Sequence, residues 1–236
     1  MTSDTASGAN NHEQPDPEAS KVALDELKLT PPETGFGQLC RKVYRVSLNG
    51  IEITPEAVIH VWREHFGELW PEGNRFSKNL LDARPGDVAV SDLEMPARTR
   101  LFAGVVITEI EPTGFSFVTT RGHTFAATIS FRAEREDDVT IAEILIEMRA
   151  GDPLFELGLM LGGHAREDAF WKDTLRALAV HLGAEGIVSQ SAKVQDPRRK
   201  WANAKNITHN AFIRSTLARI AAPIRALASR TSGSPQ

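Results

Sequence analysis

The chain has 236 residues, of which 41% are hydrophobic and 25% charged, a composition typical of a globular protein. Cys40 is its only cysteine, which excludes an internal disulfide and a cysteine-based metal cluster. The sequence has no run of about 18 apolar residues that could span a membrane and no signal-like N-terminal pattern, so we expect a cytoplasmic protein.

Charge is unevenly distributed along the chain. The net charge is −4 overall, but residues 1–34 carry −5 and residues 190–236 carry +8. The N-terminal part is rich in Ser, Thr, Asn and Pro and lacks apolar periodicity, so it cannot bury enough surface to offset its ordering entropy. We therefore predict a disordered acidic segment at 1–35, a folded domain at 36–186 and a basic amphipathic C-terminal extension at 187–236.

The folded domain begins with a strand and a helix. Residues 43–48 alternate in polarity and end at Asn49-Gly50, the pattern of a strand followed by a turn. Thr54 and Pro55 then suit the cap and the first position of a helix. Along that helix, apolar side chains recur at four-residue spacing: Val58, Trp62 and Phe66.

Most of the chain from Arg75 to Arg149 is strand-like. Strands are predicted at Phe76–Asp82, Asp87–Leu93, Thr99–Glu111, Gly114–Arg121, Thr124–Glu134 and Asp138–Arg149. The links between them are short and rich in turn residues, which favours an antiparallel meander because parallel strands need long crossovers. A long amphipathic helix is predicted from Ala165 to Gly183, and it is the longest available cover for one face of the sheet.

The order of strand, helix, six strands and long helix resembles the helix-grip fold of the START / Bet v 1-like (SRPBCC) superfamily, over about Phe36 to Gly183. Its local part is similar to a bacterial branch of unknown function and comprises Gly122-His123, the Phe131 strand, Arg149 and Asp152-Pro153-Leu154. The resemblance implies an α+β domain in which a curved antiparallel sheet wraps around the C-terminal helix. It also implies that a hydrophobic or amphipathic small molecule binds between sheet and helix, although a minority of the superfamily are aromatase/cyclase enzymes.

Aromatic side chains on the helices and strands are the candidate ligand-binding residues. They are Trp62, Phe66, Trp70, Phe102, Phe115, Phe117, Phe125, Phe131 and Trp171. In a helix-grip fold such side chains can line a cavity of roughly a few hundred Å3, whose apolar walls supply most of the affinity. The alternative is that they fill a solid core, because aromatic residues dominate core energetics in any fold.

His123 is the candidate catalytic residue. It follows a glycine at a strand start, where an imidazole could exchange protons near neutral pH. No acid lies near it in the sequence to orient the ring, so we favour the alternative of a turn histidine bonded to the backbone. The usual nucleotide, hydrolase and protease signatures are absent.

Two groups of charged residues have both a structural and a functional interpretation. Glu147 and Arg149 share one face of the last predicted strand, and we expect that face to be exposed to solvent. In the reversed register they would form a polar anchor inside the pocket, which requires the buried charges to be paired. His164, Glu167 and Asp168 have metal-ligand spacing on a helix, but a solvated first turn is favoured. We predict no metal and no cofactor.

The basic extension carries a narrow apolar seam, formed by Ile213, Leu217, Ile220, Ile224 and Leu227. A basic amphipathic helix can lie on an anionic membrane or dock on a protein, so residues 198–230 are predicted to contact one of these. The alternative is that the extension packs against its own domain or forms a homotypic coiled contact. Nucleic acid is a disfavoured partner. The support for it is a single cluster of basic and aromatic side chains, which is weak evidence: Arg198-Arg199-Lys200-Trp201.

Three functional interpretations are consistent with this sequence. We favour non-catalytic binding of a hydrophobic or amphipathic small molecule in an internal pocket. The alternatives are an aromatase/cyclase-type enzyme and an interaction module that recruits a partner or membrane through its basic extension, which would give a membrane-peripheral location. A polar pair deep in the cavity would favour the enzyme, and an entirely apolar cavity would favour non-catalytic binding. A filled core would favour the interaction module.

Overall fold

The computed structural model describes residues 28–95 and 99–209. Within these residues the strands are β1 Leu39–Asn49, β2 Arg75–Phe76, β3 Val88–Met95, β4 Thr99–Glu111, β5 Gly114–Thr119, β6 Phe125–Glu136, β7 Val139–Ala150 and β8 Glu185–Asp196. The α-helices are α1 Pro55–Glu64, α2 Pro153–Gly158 and α3 His164–His181. A π-helical turn, Leu159–Gly163, joins α2 to α3, and short 3₁₀ segments occupy Pro32–Thr34 and Trp201–His209.

The eight strands form one curved antiparallel sheet in the order β2-β3-β4-β5-β6-β7-β1-β8. Strands β2 to β7 make a meander, and β1 lies between β7 and β8, with Tyr44 opposite Ile144 on one side and Gln190 on the other. Helix α1 packs against β6 and β7, whereas α3 packs against β1 and β8. The predicted α+β helix-grip architecture, a curved antiparallel sheet around a long C-terminal helix, is confirmed.

Side-chain caps set the starts of α1 and α2. Thr54 Oγ1 accepts a hydrogen bond from Ala57 N–H at 3.3 Å. Asp152 Oδ1 accepts hydrogen bonds from Leu154 N–H at 2.8 Å and Phe155 N–H at 3.1 Å. Each cap satisfies amide groups that have no partner within the helix, and each is followed by a proline at the first helical position.

Two strands differ from the sequence prediction. β2 ends at Phe76, whereas a strand was expected to reach Asp82; the carbonyl oxygens of Leu80 and Leu81 accept hydrogen bonds from the guanidinium of Arg63 rather than from a neighbouring strand. The prediction also lacked β8, which carries no clear apolar alternation because nearly all of its residues are exposed. This strand crosses position 186, where we placed the boundary between the domain and the extension.

The start of the basic extension packs on the domain. The Trp201 ring meets Phe36 edge-on, with centroids 5.2 Å apart, and Lys200 N–H donates a hydrogen bond to the Phe36 carbonyl at 2.7 Å. Arg199 Nε lies 2.9 Å from Glu156 Oε1. For this part of the extension, these contacts favour packing on its own domain.

Two predicted segments lie wholly or largely outside the described residues. They are the acidic segment, of which residues 1–27 are not described, and the apolar seam from Ile213 to Leu227. Among the helices of the described residues, none combines the length and the hydrophobicity needed to span a bilayer.

Candidate functional site

Seven of the nine predicted aromatic residues form one cluster in the interior, with neighbouring ring centroids 4.6–6.2 Å apart: Trp62, Phe66, Trp70, Phe115, Phe117, Phe131 and Trp171. Phe131 is fully buried, stacks on Phe115 at 4.6 Å and meets Trp62 edge-on at 5.4 Å. Such contacts favour the filled-core alternative for this part of the interior. The role of these rings as ligand walls stays a prediction.

The other two predicted aromatic residues lie elsewhere. Phe102 is 61% exposed and alternates along β4 with the buried Leu101 and Ala103, so it faces the other side of the strand. Phe125 is half-buried beside His123, with ring centroids 5.8 Å apart. Alternation alone could not separate these two from the cluster, because aromatic side chains occur on both faces of a strand.

A cluster of charged and hydroxyl side chains, absent from the sequence prediction as a group, lies beneath the first turns of α3. We call Lys42, Tyr44, Glu167 and Asp168 the polar cluster. Lys42 Nζ donates hydrogen bonds to Glu167 Oε2 at 2.8 Å and Asp168 Oδ1 at 2.7 Å, and Tyr44 OH donates to Asp168 Oδ1 at 2.7 Å. Lys42 is 3% exposed and Tyr44 is fully buried, because the alternation of β1 turns both side chains inward.

Contacts within the polar cluster shift the pKa values of Lys42, Tyr44 and Asp168. Burial disfavours the charged form of Lys42, but Glu167 and the hydrogen bonds to both carboxylates outweigh it and raise the Lys42 pKa. Burial, reinforced by Glu167 and Asp168, raises the Tyr44 pKa far above its ordinary value. Burial also opposes the charge on Asp168, yet hydrogen bonds from Lys42, Tyr44 and Gln190 lower its pKa overall.

One carboxylate oxygen of the polar cluster is left without a partner. Glu167 has a side chain that is 9% exposed, and within the described residues its Oε1 is buried and accepts no hydrogen bond. The ring nitrogen His164 Nδ1 is also buried without a partner there and lies 3.9 Å from Glu167 Oε2. Because a buried acceptor without a partner is costly, this oxygen is a place where a donor group would bind favourably.

The helix that carries the acids is broken one turn before them. We call residues 157–163 the kinked segment. Non-helical backbone angles occur at Leu161 and at Gly162, whose φ of +110° favours glycine. Leu159 packs into the core, but Leu157, Met160 and Leu161 are 52%, 65% and 78% exposed. Breaks of this π-helical kind occur frequently at functional sites.

The polar cluster places two of the three α3 residues with metal-ligand spacing, His164, Glu167 and Asp168. Both carboxylates bind Lys42. The part of the chain that the structure describes contains no group of three metal-ligating side chains. The two acids point inward, however, and do not form the solvated first turn that we favoured.

Arg149 corrects the expected solvent face of β7. Its side chain is 3% exposed, because the chain after β8 covers it. Arg149 Nη1 donates to the carbonyl oxygens of Gly37 at 2.6 Å and Arg198 at 2.9 Å, and Nη2 lies 2.7 Å from Asp196 Oδ2. The strand register is as expected, with Glu147 half-buried on the same face. Only the cover over Arg149 could not be foreseen.

His123 lies in the turn between β5 and β6. Its Nδ1 accepts a hydrogen bond from Phe125 N–H at 3.1 Å, the backbone-bonded arrangement that we favoured. Burial lowers the pKa of His123 to about 4. The imidazole also lines a cavity of about 240 Å3 that includes Phe125 but none of the clustered aromatic residues.

No protein-family model matches the chain, and no curated protein does. Among solved structures, the chain is similar to protein Ms6760 from Mycobacterium smegmatis, at 14% identity and a TM-score of 0.46 over 61% of this chain and 90% of that one. It is also similar to the di-domain ARO/CYC StfQ from the steffimycin biosynthetic pathway, at 8% identity and a TM-score of 0.47; the match spans 61% of this chain and half of that protein. Major latex-like protein 151 from Panax ginseng matches at 14% identity and a TM-score of 0.39, over 61% of this chain and 98% of that one.

Proposed function

We propose that the protein binds an amphipathic small molecule without chemical turnover. The polar group of the molecule binds the polar cluster, and its apolar part lies against the kinked segment. One observation carries this proposal: a buried carboxylate oxygen without a partner, Glu167 Oε1, lies one helical turn from a break that leaves Leu157, Met160 and Leu161 exposed. Apolar surface beside a few convergent polar groups is the usual composition of a ligand site.

The charges of the polar cluster favour a ligand that donates a hydrogen bond. One cation, Lys42, faces the two carboxylates of Glu167 and Asp168, so the cluster carries a net negative charge. A carboxylate ligand would be repelled there, whereas a hydroxyl or an amine would supply the donor that Glu167 Oε1 lacks. The proposed ligand class is therefore an apolar alcohol or amine.

The pKa directions support binding over the aromatase/cyclase alternative. A general acid or base works best when its pKa lies near the operating pH. In the polar cluster, the pKa values of Lys42 and Tyr44 are raised and that of Asp168 is lowered, so all three keep their ordinary charge states at neutral pH. With a pKa of about 4, His123 is also poorly matched to proton transfer at neutral pH.

The filled aromatic cluster favours a second candidate, the interaction module. Residues Arg199, Lys200 and Trp201 already contact the domain, so recruitment of an anionic membrane or a protein would fall to the remainder of the extension. Each basic residue near an anionic surface contributes about 1 kcal/mol. Co-sedimentation of the full chain with anionic liposomes, but not of a chain ending at His209, is the expected result. Equal sedimentation of both chains would contradict the membrane role.

Fluorescence titration with N-phenyl-1-naphthylamine, an apolar probe with one N–H donor, tests the favoured function. We expect saturable binding by the full-length protein and binding about ten-fold weaker after Leu161→Asp, because a charge would then border the apolar part of the site. Val180→Asp is the matched control, since Val180 is 77% exposed on α3 and Leu161 is 78% exposed. Absence of saturable binding, or equal losses in both variants, would contradict the proposal.

A further inference from the structure

A second site is suggested by the cavity of about 240 Å3 beside His123. Its walls come from residues 28–30, the turn between β5 and β6, the start of α2 and the end of the C-terminal 3₁₀ segment. Four of the side chains that line the cavity define the proposed site: Lys28, Arg121, His123 and Phe125. None of them belongs to the polar cluster or to the kinked segment.

Backbone and amide hydrogen bonds hold these walls together. Arg121 N–H donates to the Lys28 carbonyl at 3.1 Å, which joins the turn to the N-terminal wall. Asn206 Nδ2 donates to the carbonyl oxygens of Thr34 and Gly151, each at 3.0 Å, and so fixes the 3₁₀ segment against the opposite wall. The cavity is therefore formed before any ligand arrives, which limits the ordering cost of binding.

The charged side chains that line the cavity, Lys28, Arg121 and Asp152, carry a net positive charge. Lys28 and Arg121 are both exposed at its rim, and neither makes an ion pair with any residue that the structure describes. The lining acid, Asp152, already caps α2 through hydrogen bonds from Leu154 and Phe155. An arginine guanidinium matches a carboxylate geometrically and binds it through two parallel hydrogen bonds.

His123 adds a neutral donor. Because its Nδ1 accepts the bond from Phe125 N–H, the ring proton of the neutral imidazole is on Nε2. The neighbouring Phe125 ring and Ala126 supply apolar wall beside this donor. A volume of about 240 Å3 is below the roughly 300–1,000 Å3 of sites for drug-sized ligands, so the ligand is small.

We propose that this cavity binds a small organic carboxylate with a compact apolar body. The carboxylate pairs with Arg121 and Lys28, and the apolar body contacts Phe125. This site goes beyond the proposed binding at the polar cluster, and the two differ in ligand charge: a carboxylate binds here, and an apolar alcohol or amine binds there. Loss of one function would leave the other intact.

Isothermal titration of the full-length protein at pH 7 with benzoate tests the site, and benzamide serves as the neutral isostere. We expect benzoate to bind saturably and benzamide to bind at least ten-fold more weakly. Arg121→Gln should weaken benzoate binding at least ten-fold, whereas Arg176→Gln, which removes an exposed arginine on α3, should change it less than two-fold. Unchanged thermal unfolding of Arg121→Gln would show that its fold is intact.

Two results would overturn the assignment. Equal binding of benzoate and benzamide would remove the role of charge, and unchanged benzoate binding by Arg121→Gln would remove the role of this residue.

Discussion

Lys42 is the residue on which the polar cluster depends, because its ammonium pairs with both inward-facing acids. Lys42→Met would leave Glu167 and Asp168 charged without a cationic partner. Breaking a buried pair from one side costs about 3–5 kcal/mol, so we expect a loss of that order in the free energy of unfolding. Denaturant titration measures it.

The matched control for this change is Lys193→Met, which removes an exposed lysine from β8. A surface change of this kind should alter the free energy of unfolding by about 0.5 kcal/mol or less. If Lys42→Met costs no more than Lys193→Met, the polar cluster does not contribute the ion pairs that we assign to it.

His123 should make the stability of the protein depend on pH. Its pKa is about 4 in the folded protein and 6.5 in an ordinary environment, so between these values the unfolded chain binds more protons. The contribution of His123 to the free energy of unfolding is therefore fully present above pH 6.5 and decreases as the pH falls toward 4. We expect His123→Gln to lose less stability than the wild type between pH 7 and pH 5 in denaturant titrations.

The exposed His60 on α1 provides the control for this pH effect. His60→Gln should keep the wild-type difference between the two pH values. If His123→Gln also keeps that difference, the His123 imidazole is not depressed in pKa.

The kinked segment connects two helices at a backbone position that favours glycine. Gly162 has a φ of +110°, which a side chain rarely adopts, although nothing lies within 4 Å of the Cβ that alanine would add. Gly162→Ala should therefore destabilise the protein by about 1–3 kcal/mol through backbone strain alone. Denaturant titration of the purified variant checks this.

Gly158 is the control for the kink, since it lies in α2 with helical backbone angles and an equally open Cβ position. Gly158→Ala should leave stability unchanged or raise it by about 0.5–1 kcal/mol, because alanine loses less backbone entropy than glycine on folding. A comparable loss in both variants would show that Gly162 is not the strained position.

Local sequence signals predicted most elements but not their connections. Alternation and turn residues located β3 to β7 to within a few residues, and Thr54 marked a helix start correctly. β8 was missed because an edge strand with exposed side chains has no apolar period to detect. The kink at Gly162 depends on the backbone path between two helices, which periodicity does not describe.

At the scale of the whole molecule, the aromatic cluster belongs to one hydrophobic core. Trp62 is fully buried in this core, so Trp62→Ala should lower the free energy of unfolding by about 3–5 kcal/mol. Phe102→Ala removes another member of the predicted aromatic set, but one that is 61% exposed, and should cost less than about 1 kcal/mol. Similar losses in the two variants would contradict the assignment of Trp62 to the core.

The candidate site was less predictable than the core that surrounds it. The same alternation that predicts β1 places Lys42 and Tyr44 on the inward face of the strand, together with Val46 and Leu48. Ionisable residues on this apolar face were therefore the sequence signal for the site. Its partners on α3 lie more than 120 residues away in the sequence, and only the packing of α3 on β1 brings them together. Local patterns do not carry that information.

Native mass spectrometry of the full-length protein purified from its own host tests the proposed binding function most directly. We predict that a small molecule is retained, that it is released on collisional activation, and that it is an apolar alcohol or amine. We also predict that Leu161→Asp, purified in the same way, retains less of it than Val180→Asp does. A wild-type protein that carries no small molecule, or one that Leu161→Asp retains equally, would contradict the account.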